Sequence, residues 1–140
     1  MNNKVYLTIT TPDKVFFEGE VKIVTLKTAD GYIGLQPNRS PLFSNIEIGS
    51  LNINQSGDPD YQKFFIGGGL VYADAGQINI ITDDVINYND IDLHRAERDR
   101  NWALNELKNK KYSATDEMRL ELKLKKALSR IEAYHEAHQK

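Results

Sequence analysis

The sequence contains no cysteine, only four prolines and only three histidines among its 140 residues. Without cysteine there is no disulfide framework and no thiolate metal site. The histidines, His94, His135 and His138, lack the clustered third ligand that a metal site needs. No stretch approaches the roughly 18 apolar residues that span a bilayer, and the N-terminus lacks the apolar run of a signal peptide. We therefore expect no metal, and membrane association only through another protein.

The charge is divided unevenly along the chain. The whole sequence has a formal net charge of -2, which argues against a strongly basic nucleic-acid binder. Residues 1–90 carry six Lys and Arg against eleven Asp and Glu, whereas residues 91–140 carry twelve against nine. The first segment is acidic and the second is basic, which predicts that the two segments face different partners. We expect no nucleic acid among them.

Short apolar groups separated by turn residues fill residues 1–88. Val5, Leu7 and Ile9 alternate with β-forming neighbours, which is typical of a strand with one buried face. A second run, residues 21–27, leads as one strand into the turn signal at residues 30–31. The pattern predicts an N-terminal antiparallel β-sandwich of about eight to ten short strands.

Residues 89–140 change to helical spacing. Asn89 or Asp90 is expected to cap a first helix, and Ser113 with Asp116 has the spacing of a capping box for a second one. A short polar link joins the helices, so they must run antiparallel. The seam of the second helix has heptad spacing and consists of Leu120, Leu124, Ala127, Ile131 and Tyr134. We predict a C-terminal two-helix hairpin, poor enough in large apolar residues to be a candidate for movement.

Three consecutive glycines, Gly67, Gly68 and Gly69, invite comparison with a phosphate-binding loop. Such a loop must lead into a helix N-terminus, but the chain continues here with the strand-like residues 70–72. We interpret the glycines as a bulge or as a place of close backbone packing. The sequence has no Walker-type lysine motif and no serine or cysteine with a recognisable base and orienting acid, so we predict no catalytic residue.

One short segment is a candidate ligand site, Ile91-Asp92-Leu93-His94-Arg95-Ala96. An acid and an arginine three residues apart on the first turn of a helix, with small and apolar neighbours, can hold a polar, anionic ligand. The alternative is a helix-terminal acid stabilised by the dipole, together with an intrahelical Asp92–Arg95 pair worth only about 0.3 to 0.5 kcal/mol.

Several segments together resemble the epsilon subunits of bacterial F-type ATP synthases. They are Thr11-Pro12, Phe17-Glu18-Gly19-Glu20-Val21, the stretch DGYIGLQPNRSPL at residues 30–42, Ile48-Gly49 and Phe65-Ile66-Gly67-Gly68-Gly69. The similarity runs in the family's order from about Val5 to the C-terminus and includes its two-helix tail. One departure is Arg39, which stands where many members have histidine in a surface turn.

The resemblance implies a non-catalytic subunit of a proton-translocating synthase, placed in the central rotor stalk at the cytoplasmic face of the cell membrane. The sandwich would contact the gamma subunit and the ring of membrane c subunits. The C-terminal helices would regulate the enzyme: folded they permit turnover, and extended they reach the catalytic alpha and beta subunits and restrain ATP hydrolysis. The family needs no cofactor for this role.

The resemblance also implies a regulatory ligand. Residues 91–96 match the Ile/Leu-Asp-x-x-Arg-Ala motif by which some bacterial epsilon subunits bind ATP without cleaving it. In that role Ile91 belongs to the motif, the Asp92 carboxylate accepts from the adenine amino group, Arg95 pairs with phosphate oxygens, and Ala96 leaves room for a ring. Further candidate phosphate contacts across the hairpin are Arg98, Arg119, Lys123 and Lys126, each of which could equally belong to a solvated face.

Two other interpretations stay open. The chain could be a freestanding β-sandwich adaptor whose basic hairpin docks on an acidic partner, or, with much less support, an independent nucleotide-hydrolysing enzyme. Trp102 is the sole tryptophan, and we expect it to be buried against the sandwich rather than to contact another subunit.

Overall fold

The computed structural model describes residues 3–109 and 111–138, apart from the side chain of Asn109. The chain divides into two compact units, Met1–Asn87 and Tyr88–Lys140. Lys110 in the predicted link and the terminal residues 1–2 and 139–140 of the two predicted domains lie outside the described residues.

The first unit is a sheet of eight strands in the order β2-β1-β7-β6-β5-β3-β4, with β8 paired to β6. The strands are β1 Val5–Thr10, β2 Val15–Val21, β3 Val24–Thr28, β4 Gly31–Leu35, β5 Leu42–Ile53, β6 Gln62–Ala73, β7 Gln77–Ile81 and β8 Val85–Asn87. This mostly antiparallel sheet confirms the predicted antiparallel β-sandwich. Two details differ, because β1 and β7 are parallel and because β5 and β6 each have 12 residues rather than being short.

The two long strands allow one sheet to enclose a core. Residues 70–73 of β6 pair with β7, whereas residues 64–66 of the same strand pair with β8. Residues from both parts of the sheet meet in a single apolar cluster, to which β1 contributes Val5, Leu7 and Ile9. The alternation predicted for β1 is confirmed, since these three side chains are almost completely buried.

The expectation of one strand over residues 21–27 is wrong, because β2 ends at Val21 and β3 begins at Val24, with a break in the strand between them. Asn54, which is buried and has a φ of 65°, occupies this break. The backbone N–H of Lys22 donates to Asn54 Oδ1 (2.8 Å), and the backbone N–H of Asn54 donates to the Ile23 carbonyl (2.8 Å). These bonds replace ladder bonds of a continuous strand, so the peptide groups stay paired.

The glycine run lies inside β6 and does not interrupt it. Ile46 stays opposite Gly69 and Ile48 opposite Gly67, so the pairing with β5 keeps one register through the run. A bulge would shift that register by one residue. Of the two interpretations offered by the sequence, the bulge is therefore wrong for this strand pair.

Close packing explains the glycines instead. Gly68 has a φ of 96°, which favours glycine. A side chain on Gly69 would meet the backbone carbonyl oxygen of Ile81, and one on Gly67 would meet the Asp84 carboxylate. The run thus lets neighbouring backbone approach β6 where its partner changes from β8 to β7.

The second unit contains a short 3-10 helix, Tyr88–Asp90, and two helices, α1 Leu93–Asn109 and α2 Ala114–Ala137. The Ser113 hydroxyl accepts from the Asp116 backbone N–H (3.3 Å) and donates to the Asp116 carboxylate (3.1 Å). The predicted cap of the second helix is confirmed. Neither described helix is long and apolar enough to cross a membrane.

The predicted seam of α2 is confirmed, since none of its residues is exposed. Leu120 and Ala127 are buried, and the other seam residues are half-buried. The buried residues of α1 are Ala96 and Ala103. Since alanine removes little apolar surface from water, this hairpin gains less from burial than one with a leucine seam.

Candidate functional site

Asp92 caps the first turn of α1. Its carbonyl oxygen accepts from the Ala96 N–H (3.1 Å), and its carboxylate Oδ1 accepts from the Arg95 backbone N–H (3.1 Å). The expectation that Asn89 or Asp90 caps this helix is wrong, because both lie in the 3-10 helix that precedes it. The carboxylate of the motif therefore stands at the positive end of the α1 dipole.

The four motif residues divide into a polar and an apolar pair. Asp92 and Arg95 are exposed, whereas Ile91 and Ala96 are buried. The Asp92–Arg95 bond goes to a backbone N–H, and within residues 3–109 and 111–138 these two side chains form no ion pair. The structure thus gives Asp92 a role in the helix terminus, through the backbone N–H of Arg95 and not through its guanidinium.

The candidate phosphate contacts of α2 share one face. Arg119, Lys123 and Lys126 follow one another at intervals of four and three residues, which places them on one side of the helix. Arg119 and Lys123 are exposed, and Lys126 is half-buried and engaged with a partner. Arg130 continues this spacing and is also half-buried and engaged. Arg130 is not among the cations predicted from the sequence, although its interval of four from Lys126 places it on the same side of α2.

One contact shows which residues of α1 and α2 lie at the same height along the helix axes. The ammonium of Lys123 lies 4.7 Å from the centre of the Trp102 ring. Because the helices are antiparallel, Arg98 lies near the level of Lys126, and Arg95 near the level of Arg130.

The same register separates Arg119 from the motif. Arg119 lies one turn beyond Lys123 in the direction away from Asp92, about 20 Å along the axis from the level of Asp92 at 1.5 Å per residue. Along the helix axes, Arg98 and Lys126 therefore lie nearer the level of the motif than Arg119 does.

Trp102 does not have the predicted environment. Its side chain is 49% exposed, so the expectation of burial is wrong. The indole lies instead under the Lys123 ammonium. The apolar area of Trp102 predicts burial, but an indole face can also attract a cation at the surface, so apolar area alone does not predict how exposed this residue is.

Metal ligands do not cluster in the described part of the chain. Residues 3–109 and 111–138 contain no group of three His, Cys, Asp or Glu side chains that could hold an ion. His94 is almost fully exposed, 3.9 Å from the Glu97 carboxylate. The His138 ring stacks on Tyr134 with 4.0 Å between ring centres.

Two family models cover the sandwich and the hairpin. The ATP synthase delta/epsilon chain beta-sandwich domain matches residues 4–88, and the delta/epsilon chain long alpha-helix domain matches residues 89–134. The chain belongs to the delta/epsilon chain family of the ATP synthase. The resemblance seen in the sequence is confirmed.

Relatives and solved structures agree with this family. ATP synthase epsilon chains of Mycoplasmopsis pulmonis and Mycoplasmopsis synoviae are each 43% identical, over 91% and 95% of this chain and 91% and 96% of their own. A chain of the Euglena gracilis mitochondrial ATP synthase has the same fold, with a TM-score of 0.76 at 18% identity over 99% of this chain and 84% of that one. The protein is a non-catalytic epsilon-type subunit, as predicted.

Proposed function

We propose that this epsilon-type chain couples the gamma subunit to the c ring in the central rotor stalk, and that its hairpin restrains ATP hydrolysis and senses ATP. The match of both family models along one chain carries the proposal. Two similarly folded chains come from structures titled as F1/c-ring and central stalk/c-ring assemblies. As part of the complex the protein is peripheral, at the cytoplasmic face of the cell membrane.

The sandwich carries a surface suited to a stalk partner. Phe43 and Tyr72 are opposite each other on β5 and β6, and Leu70 and Ile81 are opposite each other on β6 and β7. All four side chains are exposed, Phe43 by 70% and Ile81 by 59%. We call these four residues the exposed apolar face. A contiguous apolar patch of this kind is typical of a protein-binding site, and we assign it to the gamma subunit.

A Phe43→Glu variant should lose most of its gamma binding. Burial of an unpaired carboxylate in an apolar interface is costly, and aromatic residues at the centre of an interface dominate its energy. We expect about tenfold or greater loss of gamma in co-purification with the tagged chain, the scale of a hot spot. Tyr32→Glu is the matched control, since Tyr32 is also exposed (54%) but lies on β4. Equal recovery of gamma with both variants would contradict the assignment.

The helical hairpin offers an anionic nucleotide a set of cations near one level. Arg95 and Arg98 lie on consecutive turns of α1, and Lys126 on the facing helix. The Asp92 carboxylate lies at the start of the same region and can accept from an adenine amino group. We therefore propose ATP as the regulatory ligand, with Ile91, Asp92, Arg95 and Ala96 as the motif. Arg98, Lys123 and Lys126 are further phosphate contacts, and Arg119 is the weakest of the four nominated cations because of its distance along the axis.

The charge of the tail supplies the regulatory force. Its excess of basic residues would attract it to acidic surfaces of the catalytic subunits, and salt screens such attraction. ATP that binds only the folded hairpin opposes extension by RT ln(1 + [ATP]/Kd). The tail would then restrain hydrolysis when ATP is scarce.

Inhibition of reconstituted ATPase by this chain should therefore decrease as ATP rises. At an ATP concentration of about 100 Kd the folded hairpin gains about 2.7 kcal/mol, close to a hundredfold shift in the equilibrium. Added salt should also reduce the inhibition. The measurement is the steady-state hydrolysis rate with wild type and with Asp92→Ser, which should stay inhibitory at high ATP. Identical ATP dependence for the two chains would contradict ATP sensing.

A further inference from the structure

The contact between Lys123 and Trp102 joins the two helices of the hairpin at their exposed surface. Both side chains are on the surface of the hairpin, yet the ammonium lies 4.7 Å from the ring centre. A lysine there would ordinarily be solvated on a flexible stem. The face of an indole is the best aromatic partner for such a cation, and the attraction favours this position of the ammonium.

Lys123 lies at the boundary of the proposed phosphate region. Lys126 follows it by three residues on the same face of α2, in the direction of Arg98 and the motif. Trp102 lies on the far side, four residues beyond Arg98 along α1. A long lysine side chain at this level can reach either the indole or a phosphate group held by Arg98.

We propose that Lys123 is a two-position cation, which lies on the Trp102 indole in the absence of nucleotide and moves to a phosphate oxygen of bound ATP. This inference rests on the proposed ATP site. Phosphate is the stronger partner, because a charge-assisted hydrogen bond exceeds an exposed cation–π contact. Trp102 then competes with the ligand for Lys123 and lowers the affinity of the hairpin for ATP.

The competition predicts opposite effects of two substitutions. Trp102→Leu removes the competing partner, so the ATP dissociation constant should fall about two- to fivefold, the strength of an exposed cation–π contact. Lys123→Gln removes the phosphate contact, so the constant should rise about tenfold. Lys125→Gln is the matched control, since Lys125 is exposed on another side of α2 and should bind ATP as wild type does.

The test is titration of the full chain with MgATP, followed by heat and by tryptophan emission, with helicity checked by circular dichroism. Trp102 is the sole tryptophan, so the emission reports the surroundings of this one indole, of which the Lys123 ammonium is part. We expect an emission change that saturates with the binding heat in wild type and Lys125→Gln, and none in Lys123→Gln. Binding heat without an emission change, together with equal or weaker affinity of Trp102→Leu, overturns the two-position cation and leaves the ATP site intact. Absence of binding heat in wild type overturns the ATP site itself.

Discussion

A Gly69→Ala variant should lose about 3 kcal/mol of folding stability, the upper part of the usual range for overpacking. The added methyl group would meet the carbonyl oxygen of Ile81 and the side chain of Thr82. The carbonyl belongs to the backbone of β7 and cannot rotate away, so β6 and β7 must separate. For a unit of this size the melting temperature should fall by about 12 to 24 °C.

Gly76→Ala is the control for this prediction. A side chain at Gly76 meets nothing within 4 Å. The free energy of unfolding of Gly76→Ala should therefore differ from that of wild type by no more than about 0.5 kcal/mol, as expected for a surface change, and its melting temperature should stay close to that of wild type. Thermal unfolding followed by circular dichroism in the β-sheet region compares the two variants. Equal melting temperatures would show that the glycine run is not needed for close packing.

Removal of the motif side chains should abolish most of the ATP affinity. Arg95→Ala deletes a charge-assisted contact to phosphate, worth about 1.5 to 3 kcal/mol, which is about ten- to hundredfold in the dissociation constant. Asp92→Ala should weaken binding similarly. It should also cost about 1 kcal/mol of helix stability, because it removes the cap of α1.

Serine at position 92 separates these two roles. Ser caps a helix as well as Asp does, so Asp92→Ser should keep the helicity of wild type. Its short hydroxyl cannot cap the helix and also reach a ligand, so its ATP affinity should match that of Asp92→Ala. Circular dichroism gives the helicity and calorimetry gives the affinity. If Asp92→Ser bound ATP as tightly as wild type does, the Asp92 carboxylate would cap the helix only and would not bind the ligand.

Local signals in the sequence predicted most of the fold. The alternation in β1 and the Ser113 cap depend on residues close in sequence, and both are confirmed. The parallel β1/β7 pair depends on residues about 70 positions apart, and no local pattern encodes it. The break after β2 depends on the buried amide of Asn54, which lies 32 positions from Lys22 and is likewise beyond any local pattern.

The sequence predicted the candidate site less completely than it predicted the fold. Asn89, Asp90 and Asp92 are all good capping residues, and the 3-10 helix decides among them. The levels of the cations depend on how the link between the helices sets their register, which composition does not reveal. The apolar area of Trp102 predicts burial against the sandwich. The face of the same ring also attracts a cation, and in the structure it contacts the Lys123 ammonium.

Calorimetric titration of the isolated full chain with ATP tests the central claim most directly, because it asks whether the hairpin of this stalk subunit binds the ligand. We predict saturable binding heat with one ATP per chain, reduced at least tenfold in affinity by Arg95→Ala. Absence of heat at millimolar ATP, from a chain whose helicity is intact, would contradict ATP sensing by this subunit.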